Sequence, residues 1–263
     1  RHCPLFNQCS YFERRKQLVA AQVIVANHDL LLSSIGARLL PELDNCLLVI
    51  DEAHHLPATA LDQFACEMDL SRLTWLDKLA SRALRIGQLV EVEEIADIPN
   101  HTARLRAALQ DLARLVMDVY GEQLRAPLPG RRSFNSSMPT RARVSGGLLP
   151  DALVGPLGQA AHHADGFLQA LSAIAKALKS EMRDKPDEAR RLSQLYAQIG
   201  SLAPRLEGVH ACAQLLLQDA PEGAVPAAKW FTLEVDGDFI VVKAHASPIL
   251  PGTTLRNHLW SAV

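Results

Sequence analysis

The chain has 263 residues, 48% of them hydrophobic, and its 27 Lys and Arg against 29 Asp and Glu leave a formal net charge of −2. That length is enough for one large domain or two modest ones with a real core. No run of eighteen apolar residues occurs, which excludes a membrane-spanning helix. Five cysteines, an odd number without a secretory signal, point to a reducing compartment rather than a disulfide scaffold. The chain opens on Arg1-His2-Cys3-Pro4 and ends on Val263, and we expect an internal segment of a longer protein.

Residues 1–20 carry Cys3, Cys9 and a basic, helix-prone stretch from Glu13 through Arg14, Arg15 and Lys16 to Leu18. Ala21-Gln22-Val23-Ile24-Val25-Ala26 reads as a short buried strand rich in β-branched residues. Asn27-His28-Asp29 offers capping residues before a helix that starts at Leu30-Leu31-Leu32. Pro41 breaks that pattern, and residues 45–50 form a second strand. Strand, helix and strand at this spacing suit a parallel βαβ unit.

From about residue 61 to 220 the chain turns Leu- and Ala-rich with helical periodicity. Leu105, Leu109, Leu112, Val116 and Val119 recur at three- and four-residue steps. Leu192, Leu195, Ile199, Leu202, Leu206, Val209, Ala213 and Leu216 make a second stripe, which Pro204 should kink or divide. Helix-on-helix packing is the plain meaning of both stripes. Between them, residues 125–143 hold five arginines, no acidic residue and Phe134, and read as a loop. It either tracks a phosphate backbone through residues such as Arg131 and Arg132, with Phe134 stacking on a base, or is simply solvated. Trp230 to Val242 reads as a β-hairpin turning at Asp236-Gly237, and Thr254 to Ala262 as a helix.

Leu47-Leu48-Val49-Ile50-Asp51-Glu52-Ala53-His54 concentrates the chemistry: four apolar residues, then two carboxylates and a histidine where the strand must end. In an open parallel sheet, ligands bind beyond the carboxyl ends of the strands. A strand-end Asp can hold Mg²⁺ beside substrate phosphates, and a neighbouring Glu can orient or deprotonate an attacking water. The plainer alternative is a strand that stops in a polar turn.

The order Cys3-x5-Cys9, basic helix, Val-Ile-Val-Ala-Asn-His strand, then Leu-Leu-Val-Ile-Asp-Glu-Ala-His-His-Leu-Pro resembles the iron–sulfur superfamily 2 DNA helicases. Within them it is most similar to the bacterial DinG branch, related to the XPD helicases. Lys229-Trp230, the hairpin and Leu255-Arg256-Asn257-His258-Leu259-Trp260 are similar to the segment before motif III of that branch. The resemblance implies an α/β plus mostly α fold: part of a RecA-like parallel-sheet motor domain with a large helical Arch-type insertion. It implies the end of an iron–sulfur domain over 1–20, motor domain 1 over 21–60, the Arch over 61–225, and a return to the motor over 226–263. Cys3 and Cys9 match two of the four [4Fe–4S] ligands. Asp51 and Glu52 match the Walker B pair for Mg²⁺, ATP and the hydrolytic water, and His54 the residue that links nucleotide state to the motor. Cys46, Cys66 and Cys212 fall outside that pattern and read as small core residues.

The implied activity is ATP-dependent 5′→3′ unwinding of single-stranded or forked DNA in repair or replication, by a cytoplasmic bacterial monomer with no membrane partner. No G-x-x-x-x-G-K-[ST] occurs, and no glycine is followed by lysine, so the segment alone should not hydrolyse ATP. A non-catalytic helical module that binds nucleic acid or protein is the alternative; nothing supplies a nuclease site. Arg14, Arg15 and Lys16 are either phosphate partners or an exposed basic turn. His28 either lies by the crevice or caps its helix, and His55, His162 and His163 show no ligand spacing.

Overall fold

A computed structural model describes residues 10, 14, 17–37, 40, 43, 46–125, 140–220, 223, 225–236 and 239–262. In chain order its helices are α1 (His28–Ala37), α2 (Leu56–Gln63), α3 (Thr74–Leu89), α4 (Ile98–Arg125), α5 (Asp151–Asp184), α6 (Ala189–Leu217) and α7 (Pro251–His258). Its strands are β1 (Cys66–Asp69), β2 (Thr140–Arg143), β3 (Ala228–Asp236) and β4 (Phe239–Ser247). They divide into two compact units. A helical unit takes the described residues of 66–222 and 227–246, and a smaller unit those of 3–65, 223–226 and 247–263. No helix among the described residues is long and apolar enough to cross a membrane.

The helical unit is built on α4, α5 and α6, with α5 packed along both of the others. Leu153, Leu157, Ala160, Ala164, Phe167, Leu171, Ile174 and Leu178 line the buried side of α5 at three- and four-residue steps. Leu105, Leu109, Leu112 and Val116 face them from α4, while Val119, expected in that stripe, is exposed. On α6 the stripe holds at Leu192, Ile199, Leu206, Val209, Ala213 and Leu216. The helix runs unbroken through Pro204 rather than dividing there. An internal proline costs about 3 kcal/mol. Burial of an aliphatic side chain returns about 1.5–3 kcal/mol, so the anchored residues on both sides of Pro204 outweigh it.

A four-stranded sheet in the order β1-β4-β3-β2 covers this bundle. β1 pairs antiparallel with β4 from Cys66↔Ala246 to Asp69↔Lys243. β2 pairs antiparallel with β3 from Thr140↔Leu233 to Arg143↔Trp230. The hairpin expected from Trp230 onward is present as β3 and β4; Asp236 ends β3, and Gly237 of the expected turn, like residues 126–139 of the arginine-rich stretch, falls outside the described residues. The end of that stretch is a strand rather than a loop. Ala142 points into the core between exposed Arg141 and Arg143, and the Thr140 hydroxyl donates to the Leu124 carbonyl at the end of α4.

His245 occupies the middle of the sheet, its ring stacked on Trp230 and its Nε2 2.8 Å from Thr232 Oγ1. Burial holds its pKa below the ordinary value, helped by Lys243 and Arg141 and opposed by Glu67 and Glu234. The folded state therefore keeps His245 neutral at a pH where the unfolded chain has taken a proton. Its stabilising contribution is complete above the unfolded pKa of about 6.5 and declines as pH falls through the folded value. Urea unfolding followed from about pH 7.5 to about pH 5 should show the helical unit losing stability, and His245→Gln should flatten that slope; equal slopes would exclude His245 as the cause.

The smaller unit has its own core of Leu31, Leu32, Leu56, Ala60, Leu255 and Leu259, from α1, α2, α7 and the residue that follows it. The Asn27 side chain accepts from the Leu30 amide at 2.8 Å, and its carbonyl from the Leu31 amide, which is the expected cap of α1. The helix expected at the C-terminal end is α7 followed by a 3₁₀ turn, Trp260–Ala262. The two expected strands are not paired. Residues 21–26 and 46–50 form no ladder with any described residue. Leu48 and Ile50 rest on the small core, whereas Leu47 is 90% and Val25 93% exposed. A parallel strand is buried on both faces, and here only one face of 46–50 is covered. Cys46 accordingly lies exposed rather than in a core; Cys66 is half-buried, and Cys212 is buried.

Candidate functional site

Asp51 and Glu52 stand where the extended segment 46–50 runs into α2. Glu52 takes a left-handed conformation, φ 49° and ψ 43°. That region costs a non-glycine residue about 1–2 kcal/mol, and local hydrogen bonds hold the turn. The Glu52 amide donates to Asp51 Oδ1 at 2.9 Å, and the His55 amide donates to the Glu52 carbonyl at 2.9 Å. A 3₁₀ turn, Ala53–His55, then leads directly into α2.

His28, the first residue of α1, ties that helix to the turn. Its Nε2 lies 3.1 Å from the Asp51 carbonyl oxygen. A carbonyl only accepts, so the ring carries its proton on Nε2 there. Of the two roles left open for His28, the structure places it against the turn; the cap belongs to Asn27.

His54 Nδ1 lies 3.2 Å from Glu52 Oε2, and the His54 and His55 rings are 3.9 Å apart. All residues from Asp51 to His55 are exposed. An exposed ion pair contributes about 0–1 kcal/mol, so the His54 contact orients Glu52 without locking it. One Asp51 oxygen serves the backbone, and among the described residues the other has no hydrogen-bond partner. Two exposed adjacent carboxylates suit Mg²⁺, a hard cation that takes one or two protein oxygens and fills the rest of its shell with water and phosphate. Glu52, His54 and His55 also bring donor atoms within 4.8 Å of one another.

Of the other sequence-singled residues, Arg14 is exposed, and Cys3, Cys9, Arg15, Lys16, Arg131, Arg132 and Phe134 lie outside the described residues. His162 and His163 are brought together with His101, which the sequence reading passed over. Sixty-two positions separate His101 from His163, and no local spacing reveals such a meeting.

The DEAD_2 family profile matches residues 3–73, the stretch that carries the Asp-Glu turn. The chain is 29% identical over 264 residues to the ATP-dependent DNA helicase DinG of Photobacterium profundum, covering 98% of this chain and 36% of that protein. It is 24% identical over 272 residues to the protein of the same name from Escherichia coli K12, covering 100% and 36%. The corresponding protein of Salmonella typhimurium is 23% identical over the same span. Along its whole length the chain is similar to a segment of these DinG proteins. It spans about a third of the length of these curated relatives. The DinG likeness extends over the helical unit as well as over the Asp-Glu turn, whereas the DEAD_2 match ends at residue 73.

Proposed function

We propose that this chain is the part of an ATP-dependent DNA helicase that carries the Walker B turn and the Arch of its first motor domain. The observation that carries the reading is the left-handed Asp51-Glu52 turn at the end of an apolar extended segment, tied to α1 by His28. Residues 21–26 and 46–50 are the motor's parallel strands, and their bare faces suit strands whose sheet neighbours belong to the rest of a RecA-like domain. Residues 1–20 close an iron–sulfur domain, 61–225 form the Arch, and 226–263 return toward the motor.

Asp51 holds Mg²⁺ against the nucleotide phosphates, and Glu52 orients and deprotonates the attacking water. Mg²⁺ neutralises charge on the transferring phosphoryl group when bound. His54, in contact with Glu52, relays nucleotide state to the rest of the motor. The phosphate-binding loop and arginine finger come from other parts of the full protein, since no G-x-x-x-x-G-K-[ST] occurs here. Cys3 and Cys9 supply two of four [4Fe–4S] ligands. Arg14, Arg15, Lys16, Arg131 and Arg132 contact the phosphates of single-stranded or forked DNA. The work is clearing repair or replication intermediates, by a cytoplasmic monomer moving 5′→3′.

Polarity tests the reading directly. The full-length protein should unwind a duplex with a 5′ single-stranded tail in the presence of ATP and Mg²⁺, and leave a 3′-tailed duplex intact. Preference for the 3′ tail would refute the direction, and no ATP-dependent unwinding of either would refute the helicase.

A further inference from the structure

Along the outer face of α3, Lys78, Arg82 and Arg85 follow one another at four- and three-residue steps, and all three are exposed. At that spacing they share one face of the helix. The opposite face gives Leu76, Leu79, Ala83 and Ile86 to the core, so packing fixes the side on which the cations stand. The helix has a single acidic residue, Asp77, and Arg106 of α4 engages it. Among the described residues none of the three cations has an ion-pair partner. Of the acidic residues that follow α3, Glu91 acts on Lys185, and Glu94 and Asp97 line a cleft beside His101 and His162.

Elsewhere in this unit the same spacing is used for pairing. Arg114 lies 3.6 Å from Asp111 and 3.5 Å from Asp118, Lys185 lies 2.7 Å from Glu181, and Arg191 lies 3.5 Å from Glu188. At positions three or four apart, opposite charges support a helix and like charges weaken it. α3 sets like charges there: Lys78 faces Arg82, and Arg82 faces Arg85. This arrangement works against the helix and favours an external polyanion. From Lys78 to Arg85 the stripe runs about 10 Å along the helix axis, a length over which duplex DNA carries about six phosphate charges. Arg205 of α6 brings a fourth cation to the first turn of α3, its guanidinium 4.7 Å from the centre of the Trp75 ring. Trp75 is the one aromatic residue of α3. The stripe therefore presents charge without the row of rings on which unpaired bases stack, which marks a contact to backbone rather than to bases.

We propose that Lys78, Arg82 and Arg85 of α3 form a docking surface for the phosphate backbone of duplex DNA. The proposal rests on the helicase reading, in which paired DNA lies ahead of the strand being separated. It adds a contact outside the basic stretches of residues 1–20 and 125–143. The contact is independent of sequence, because phosphates carry no base identity. Each phosphate neutralised releases counterions, so affinity through this surface falls as salt rises.

The test is the salt dependence of binding by the full-length protein, with a 5′-tailed duplex and the tail strand alone as probes. Lys78→Gln, Arg82→Gln and Arg85→Gln together should lower the slope of log affinity against log salt on the tailed duplex by about 2.7, or about 0.9 per phosphate. Between about 50 and about 200 mM salt, the unaltered protein should then lose about 40-fold more affinity than the variant. Affinity for the tail strand, and the ATP turnover it stimulates, should stay unchanged. The variant should also melt no lower, since glutamine removes like-charge repulsion from the helix. Arg114→Gln, Lys185→Gln and Arg191→Gln together remove the same net charge from paired positions and should leave the slope as it is. A slope that the α3 variant leaves unchanged, or that the paired-position variant lowers equally, overturns the proposal. An equal loss on the tail strand overturns it too, by making the surface a single-strand contact. The helicase reading is judged separately: it falls if the unaltered protein shows no DNA-stimulated ATP turnover, whatever the slope on the duplex.

Discussion

Glu52→Gln should lower DNA-stimulated ATP turnover of the full-length protein by on the order of a hundredfold or more and leave single-stranded DNA binding intact. Gln keeps the size of the side chain and most of its hydrogen bonding but cannot take a proton from water. The left-handed backbone at Glu52 is held by the Asp51 side chain and the His55 amide, neither of which involves the Glu52 carboxylate. Among the described residues, the ion pair the substitution removes is the exposed one with His54, worth about 0–1 kcal/mol. Lost turnover with an unchanged melting temperature and unchanged DNA affinity is therefore the expected signature. Turnover near the unaltered level would place the catalytic base elsewhere.

Phe167→Ala should destabilise the helical unit by about 3–5 kcal/mol. Phe167 has no exposed surface and sits on the face of α5 that meets α4 and α6. Its removal leaves a cavity that two long helices on either side cannot close without losing their own register. Against a total of about 5–15 kcal/mol for a domain, the unit would be left marginal. Val154→Ala, on the same helix but 45% exposed, should shift stability by less than about 0.5 kcal/mol. Urea midpoints of the two variants make the comparison. Equal midpoints would mean that α5 is not the centre of this core.

The helices were readable because each buries one continuous stripe, and a 3.6-residue period survives in the residues alone. Leu105 through Val116 and Leu192 through Leu216 needed no partner to be recognised. The flanking strands of the sheet were not readable. Cys66-Glu67-Met68-Asp69 and Thr140-Arg141-Ala142-Arg143 are four residues each, half charged, and become strands only because β4 and β3 arrive beside them from far along the chain. Residues 21–26 and 46–50 show the opposite case. Their composition marks them as strands, but a strand needs a ladder, and none of the described residues supplies one.

At the site, Asp51, Glu52 and His54 are legible as a contiguous motif, and the roles proposed for them rest on the family likeness. What the residues could not reveal was the bond from His28 to the Asp51 carbonyl, or the meeting of His101 with His163. Both depend on the packing of separate helices, and neither leaves a trace in local spacing.

The pairing of Cys66 with Ala246 bears on how such a protein is assembled over evolutionary time. The helical unit begins at Cys66 and its last strand ends one residue past Ala246, so its entry and exit stand across from one another in a single ladder, about 5 Å apart. A passenger whose two ends meet places almost no geometric demand on the chain that carries it. It can lengthen, shrink or be replaced while the host keeps its path, and a short turn can bridge the gap if it is lost.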